Sequence, residues 1–164
     1  MNDAGNRLKN EYSFGDYLFY MCLLAVPVLT AALAIARHSP AWTVLYIVFS
    51  AGMAALMLRF FCTRCPHYTR DGGTLKCIFF WGLPKFFSPR GGRYGKIDLA
   101  VTVMAAAAVA VFPLYWLLRE LGLLIIYLLS MAGFGAAIYR NECERCIHSA
   151  CPMNRATEAG EFPR

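Results

Sequence analysis

Charged side chains are scarce in this sequence and missing from long stretches of it. They make up 16% of the 164 residues, while apolar residues make up 59%. Soluble domains carry about 25% charged residues. A charge near the bilayer centre costs on the order of 2.5–3.5 kcal/mol on insertion scales, so long uncharged stretches are typical of membrane-spanning helices. The composition therefore excludes an ordinary soluble domain and predicts an integral membrane protein.

Common sequence signatures of catalysis and transport are also missing. The chain has no Walker loop, dinucleotide-binding fingerprint, nucleophile elbow or H-E-x-x-H motif. No charged residue lies in the middle of an apolar stretch, which disfavours a proton or ion path through the bilayer. No histidine lies there either, and neither Cys-x2-Cys pair is followed directly by histidine, which excludes intramembrane and c-type haem. Whether the protein is an enzyme stays open.

Four apolar segments are long enough to span a bilayer, which takes about 20 residues. Very short turns join the first to the second and the third to the fourth, so the segments form two hairpins. Prolines inside the first and third segments, Pro27 and Pro113, predict local kinks. The predicted fold class is an all-α integral membrane protein with four transmembrane helices, at residues 17–36, 42–58, 99–118 and 121–139.

The two hairpins are related by an internal repeat. A shift of 81 residues places residues 59–67 on residues 140–148, and both read R-x-x-C-x-R-C-x-H. Because each copy holds two helices, the copies are expected to be parallel, each followed by a Cys/His-rich cytoplasmic loop. The chain is thus predicted to be a single membrane domain (1–164) with repeat one (17–77), an interfacial aromatic segment and linker (78–96), repeat two (97–152) and a disordered tail (153–164).

Small residues recur at matching positions of the second and fourth helices. The pattern is Ala-x3-Ala with a glycine beside the first alanine, Gly52 in one copy and Gly133 in the other. Such small-residue patterns mark places where helices approach closely in lipid. The sequence therefore predicts that the second and fourth helices cross at these glycines.

The basic residues indicate the orientation. The N-terminal segment, the loop 59–96 and the C-terminal tail hold 14 of the 16 lysines and arginines, while the two turns hold Arg37 and Arg119. Because positively charged loops stay inside, both termini are predicted to be cytoplasmic in a multi-pass protein of the cell's inner membrane. The expected partner of this charge is the lipid bilayer and not nucleic acid, since the basic residues lie against the membrane.

Six of the seven cysteines lie on this predicted cytoplasmic side. Cytosolic thiols stay reduced, so metal binding or redox chemistry is expected there and a disulfide framework is not. Two Cys-x2-Cys pairs with matching flanks favour a metal site, because this spacing lets two thiolates reach one ion from a tight turn. The candidate metal ligands are Cys62, Cys65, His67, Cys77, Cys143, Cys146, His148 and Cys151.

Two ligand arrangements are open, and so are two cofactors. Both cysteine pairs can bind one metal on the repeat axis, or each half can build its own site from three cysteines and one histidine, as zinc accepts. The run Cys143-x2-Cys146-x4-Cys151-Pro152 resembles, with altered spacing, the cysteine run of ferredoxins, so an iron–sulfur cluster is the other candidate. Arg64 and Arg145, inside the pairs, are expected to lower thiolate pKa values and to offset the charge of a bound cofactor.

The functional hypothesis is therefore a membrane redox or electron-transfer component that meets a cytoplasmic or membrane redox partner. A zinc-stabilised scaffold or partner-binding protein is the alternative from a different class. A heavy-metal transport or sensing protein is the third. The sequence names no substrate and no reaction.

The topology is directly testable. Ser39 lies in the first turn and Glu158 in the C-terminal tail, so we expect reporters fused at these positions to lie on opposite sides of the membrane. Paired reporters, each active on one side only, measure this. Finding both positions on one side would contradict the orientation and the shared face of the two cysteine motifs.

Overall fold

The protein is all-helical, with four helices long and apolar enough to cross a membrane. The computed structural model describes residues 12–69, 72–91 and 94–146. The four candidate spans are Phe14–Ala36, Pro40–Arg64, Lys96–Leu117 and Leu121–Glu142. These helices confirm the four predicted segments and indicate a multi-pass membrane protein. The helical elements are α1 (Phe14–Ala36), α2 (Pro40–Phe60), a 3₁₀ turn (Cys62–Arg64), α3 (Pro66–Thr69), α4 (Lys96–Val111), α5 (Leu114–Leu117), α6 (Leu121–Ala137) and a π-helical turn (Ile138–Glu142).

The first helix of each hairpin begins with an aspartate at its third position. In α1 the Ser13 hydroxyl accepts a hydrogen bond from the Asp16 backbone N–H at 3.1 Å, while Asp16 Oδ2 accepts from the Ser13 N–H at 3.0 Å. In α4 the Asp98 Oδ2 accepts from the Gly95 N–H at 3.1 Å. These carboxylates satisfy N–H groups that a helix end leaves without an intrahelical acceptor.

Proline interrupts one span and not the other. The third span breaks at Pro113, which separates α4 from α5 because proline has no N–H to donate and its ring clashes with the preceding turn. Near the break, the Tyr127 hydroxyl of α6 donates to the Ala110 carbonyl at 2.8 Å. This bond satisfies a backbone acceptor in the apolar interior, as a membrane helix requires. The prediction at Pro113 is thus confirmed, whereas α1 runs through the buried Pro27 without a break.

The main helix contacts run between the two hairpins. α1 lies along α6 and α2 lies along α4, so each first helix contacts the second helix of the other hairpin. Within the described residues α2 and α6 make no contact with each other, and a methyl group added at Gly52 or Gly133 would meet nothing within 4 Å. The predicted crossing of the second and fourth helices at these glycines is therefore wrong. Their small residues lie on exposed faces, while the fully buried small residues, Ala31 and Ala34, belong to α1.

The core lies toward the end of the bundle that holds the two short turns, called here the turn end. It is built from all four spans and is rich in aromatic rings. Phe112 stacks on Tyr46 with ring centroids 5.6 Å apart and lies 5.5 Å from the Trp116 ring. An ion pair between Arg37 and Glu120 joins the two turns. The buried residues of this cluster are Ala31, Ala34, Ile35, Tyr46, Trp116, Leu117 and Tyr127.

This packing predicts which small residues matter for stability. Ala34→Ile should lower the free energy of unfolding by about 1–3 kcal/mol, because it adds volume to a filled interface. The matched change Gly133→Ile should have a smaller effect, since the side chain would enter open space. Reversible unfolding in detergent micelles measures both. Equal losses from the two variants would contradict the observed helix pairing.

Candidate thiol site at the cysteine end

The site lies at the opposite end of the bundle, where α1 and α4 begin and the second helix of each hairpin ends. We call this end of the bundle the cysteine end. The segment that connects the hairpins folds over this end. The Tyr68 hydroxyl donates to the Phe87 carbonyl at 2.7 Å and accepts from the Phe87 N–H at 2.9 Å. Leu75 and Tyr68 are each 1% exposed. The connecting segment is therefore packed, although Phe86 within it is 68% exposed.

The first cysteine pair is formed by a 3₁₀ turn directly after α2. The Cys65 N–H donates to the Cys62 carbonyl at 2.9 Å, which closes the turn and leaves two residues between the cysteines. Cys62 packs against the buried cluster of Leu58, Tyr68 and Leu75. The tight turn that the Cys-x2-Cys spacing predicts is thus present in this copy.

A third cysteine of the first half lies close to this pair. Cys62 is near enough to Cys65 and to Cys77 for the charge of one thiolate to act on the next. Cys77 comes from the connecting segment and packs against Tyr12, Tyr20 and Ile78. Burial raises the pKa of the Cys77 thiol, so at neutral pH this thiol is protonated unless a cation replaces its proton.

Tyr12, which precedes α1, joins this cluster to the second cysteine motif. Its ring centroid lies 5.1 Å from that of the buried His67, and its carbonyl accepts a hydrogen bond from Trp81 Nε1 at 3.3 Å. Burial, together with the neighbouring charges of Glu142, Cys146 and Cys77, raises the pKa of the Tyr12 hydroxyl. Tyr12 therefore stays protonated, and it lies between His67 and residues of the second cysteine motif.

The second cysteine motif begins differently from the first. α6 continues as a π-helical turn, and the Cys143 N–H donates to the Ile138 carbonyl at 3.1 Å, five residues back. Glu142 in this turn is 6% exposed and accepts a hydrogen bond from the Tyr20 hydroxyl at 2.8 Å. π-Helical turns inside α-helices are frequent at functional sites. The matching sequence motifs are therefore wound differently in the two copies.

The remaining predicted site residues are placed as follows. Arg64 forms an ion pair with Asp98, with 3.0 Å between Nη2 and Oδ2. The Arg145 backbone N–H donates to the Glu142 carbonyl at 3.2 Å. His148 and Cys151 lie outside the described residues, as does the predicted tail 153–164. Within residues 12–69, 72–91 and 94–146, no group of three or more Cys, His, Asp or Glu side chains has an arrangement that holds a metal ion.

Four residues that matter here were not singled out by the sequence: Tyr12, Tyr20, Asp98 and Glu142. Asp98 carries a detectable signal, because an acidic residue in the first turn before an apolar run is typical of a capped helix start. Glu142 has no such signal in the sequence, because the repeat aligns it with Phe61 and a carboxylate at a helix end is usually solvated.

Comparisons with protein families, with curated proteins and with solved structures find no match to this chain. Its function therefore has to be inferred from the chemistry of its own residues.

The position of Tyr12 gives a testable consequence. Tyr12→Ala should raise the rate at which N-ethylmaleimide modifies Cys77 several-fold, because it removes a ring from the buried cluster against which Cys77 packs. Peptide mass spectrometry after timed labelling of the full chain in detergent measures the rate. Tyr115→Ala is the matched control, since Tyr115 is 61% exposed and lies at the turn end. Equal rates in both variants would show that Tyr12 does not shield the thiol.

Proposed function

We propose that this multi-pass membrane protein binds an iron–sulfur cluster or a zinc ion at its cysteine end and serves as a membrane redox or electron-transfer component. The observation that carries the proposal is the 3₁₀ turn that holds Cys62 and Cys65 two residues apart. Cys77, from the connecting segment, is near enough for its thiolate charge to act on Cys62. Cysteine thiolates are preferred ligands of zinc and of iron–sulfur clusters.

The arrangement supports a ligand set centred on the first half of the chain. Of the two arrangements open from sequence, the site built on one half is favoured, because Cys77 is near enough for its thiolate charge to act on Cys62. His67 and Cys146, both near Tyr12, are the candidates for a fourth ligand. Binding requires the thiolate form, so a bound metal would displace the proton that burial holds on Cys77. An iron–sulfur cluster would supply one-electron transfer, and zinc would supply a rigid cross-link.

The helix pairing supports the tandem duplication. The contact of α1 with α6 has its counterpart in the contact of α4 with α2, as a two-fold axis between the hairpins would produce. Tyr46 and Tyr127, one per copy in the repeat register, are both 4% exposed. We propose that the copies are parallel repeats and that both cysteine motifs face the cytoplasm, where lysine and arginine are concentrated. A redox partner would then approach from the cytoplasm or within the inner membrane.

A second candidate function is a zinc-stabilised scaffold. It is favoured by the packing of the connecting segment over the cysteine end, where Tyr68 and Leu75 are almost fully buried. A zinc ion bound by Cys62, Cys65 and Cys77 would join this segment to the end of α2. Metal binding would then contribute to folding free energy and involve no electron transfer.

Metal content and spectra test the proposal. Anaerobically purified full-length protein should hold bound iron with a visible charge-transfer spectrum, or stoichiometric zinc and no colour. Cys62→Ser and Cys77→Ser should each lower the metal content and the melting temperature, because each removes a ligand whose binding energy stabilises the fold. Cys22→Ser is the matched control, since Cys22 is exposed on α1 and belongs to neither cysteine motif.

Three outcomes separate the possibilities. A brown, oxygen-sensitive protein supports the redox function, while colourless protein with bound zinc supports the scaffold. Protein that holds neither metal, and in which Cys62→Ser and Cys77→Ser melt like the unmodified chain, would contradict both. The thiols would then be better explained as a dithiol redox relay.

A further inference from the structure

The arginine inside the first cysteine pair is engaged with the other hairpin. Arg64 Nη2 lies 3.0 Å from Asp98 Oδ2, and the two side chains are 21% and 9% exposed. Arg64 ends the 3₁₀ turn that begins at Cys62, whereas Asp98 lies in the first turn of α4. This largely buried ion pair therefore joins the cysteine motif of one hairpin to the first helix of the other.

The carboxylate of this pair is held in place by the start of α4. The same Asp98 oxygen accepts a hydrogen bond from the Gly95 N–H at 3.1 Å. A Cβ atom added at Gly95 would lie 3.1 Å from Asp98 Oδ2, closer than ordinary van der Waals contact. Glycine thus leaves room for the carboxylate, and the backbone of α4 determines where Arg64 finds its partner.

The turn between the cysteines is also held from its other sides. Thr63 is fully buried, and its hydroxyl donates to the Arg59 carbonyl at 2.8 Å. The Thr63 carbonyl accepts from the Arg90 N–H at 2.8 Å, which attaches the far end of the connecting segment. These bonds and the ion pair act on consecutive residues, 63 and 64, that separate the two thiols.

We infer that Arg64 and Asp98 are positioning residues that set the distance of the Cys62 and Cys65 thiols from Cys77. The expected effect on metal binding rests on the proposed function, whereas the placement of the thiols is independent of it. If one partner of a largely buried ion pair is removed, the other charge loses part of its compensation in a poorly hydrated place. The turn that carries Arg64 is then no longer held against the start of α4, and the thiols shift with it.

The test compares three changes in the full chain, purified in detergent. Asp98→Asn removes the charge that pairs with Arg64. Asp16→Asn is the matched control, because Asp16 is the capping carboxylate at the start of the other hairpin. Arg64→Met removes the other charge of the pair and leaves the Asp98 cap of α4 in place, so it should lower the cross-linking yield as Asp98→Asn does.

Two measurements are made on each protein. The first is the yield of cross-links from Cys77 to Cys62 or Cys65 with a short bifunctional thiol reagent, in metal-free protein. The second is the affinity for Co²⁺, followed by its thiolate charge-transfer band. In Asp98→Asn we expect a lower cross-linking yield and Co²⁺ binding weaker by about 10–100-fold, the usual effect of removing a residue that orients metal ligands. Asp16→Asn should resemble the unmodified protein in both.

Unchanged cross-linking in Asp98→Asn would overturn the inference. If the unmodified protein binds no Co²⁺, the proposed metal function fails, while the cross-linking comparison still decides the role of the ion pair. If Asp98→Asn does not fold, Gly95→Ala decides it, because this change keeps both charges and displaces the carboxylate. A lower cross-linking yield in Gly95→Ala would support the inference. A yield equal to that of the unmodified protein would contradict it.

Discussion

Inside a bilayer the hydrophobic effect does not draw helices together, because lipid tails are as apolar as the side chains that face them. Association depends on close packing and on a few hydrogen bonds. In this protein the packing runs between hairpins, with α1 along α6 and α2 along α4. The fully buried Ala31 and Ala34 of α1 lie in the cluster that the four spans form. The cysteine end depends on these contacts between the hairpins, because they place the end of each second helix beside the start of the other hairpin's first helix.

Each of the two junctions formed in this way contains one buried carboxylate, used in a different way. Where α2 meets α4, Asp98 forms an ion pair with Arg64. Where α6 meets α1, Glu142 accepts a hydrogen bond from the Tyr20 hydroxyl. The carboxylate of the first junction therefore pairs with a guanidinium, and that of the second accepts from a tyrosine hydroxyl. Cys62 and Cys65 lie at the first junction, whereas Cys77 packs against the cluster of Tyr12 and Tyr20 at the second.

Much of the fold could be predicted from sequence, because charge-free segments of sufficient length and a proline within a span have direct structural consequences. The helix pairing could not be predicted from Gly52 and Gly133. In a membrane protein both the interior and the lipid-facing surface are apolar, so hydropathy does not distinguish the faces of a helix. The tight turn of the first cysteine pair followed from its spacing. The neighbours of the thiols, such as Tyr12 and Glu142, arise from contacts between distant segments that no local pattern encodes.

The π-helical turn makes two segments of equal length end at different heights along their helices. From Tyr46 to Cys62 and from Tyr127 to Cys143 the chain counts the same number of residues. The first path is α-helical as far as Phe60, rising about 1.5 Å per residue, and it reaches Cys62 where the 3₁₀ turn begins. The second path passes through a π-helical turn, whose wider coil advances less along the axis. Two segments of equal length that end in matching cysteine motifs thus place their first thiols at different heights along their helices, and the two motifs present different surfaces.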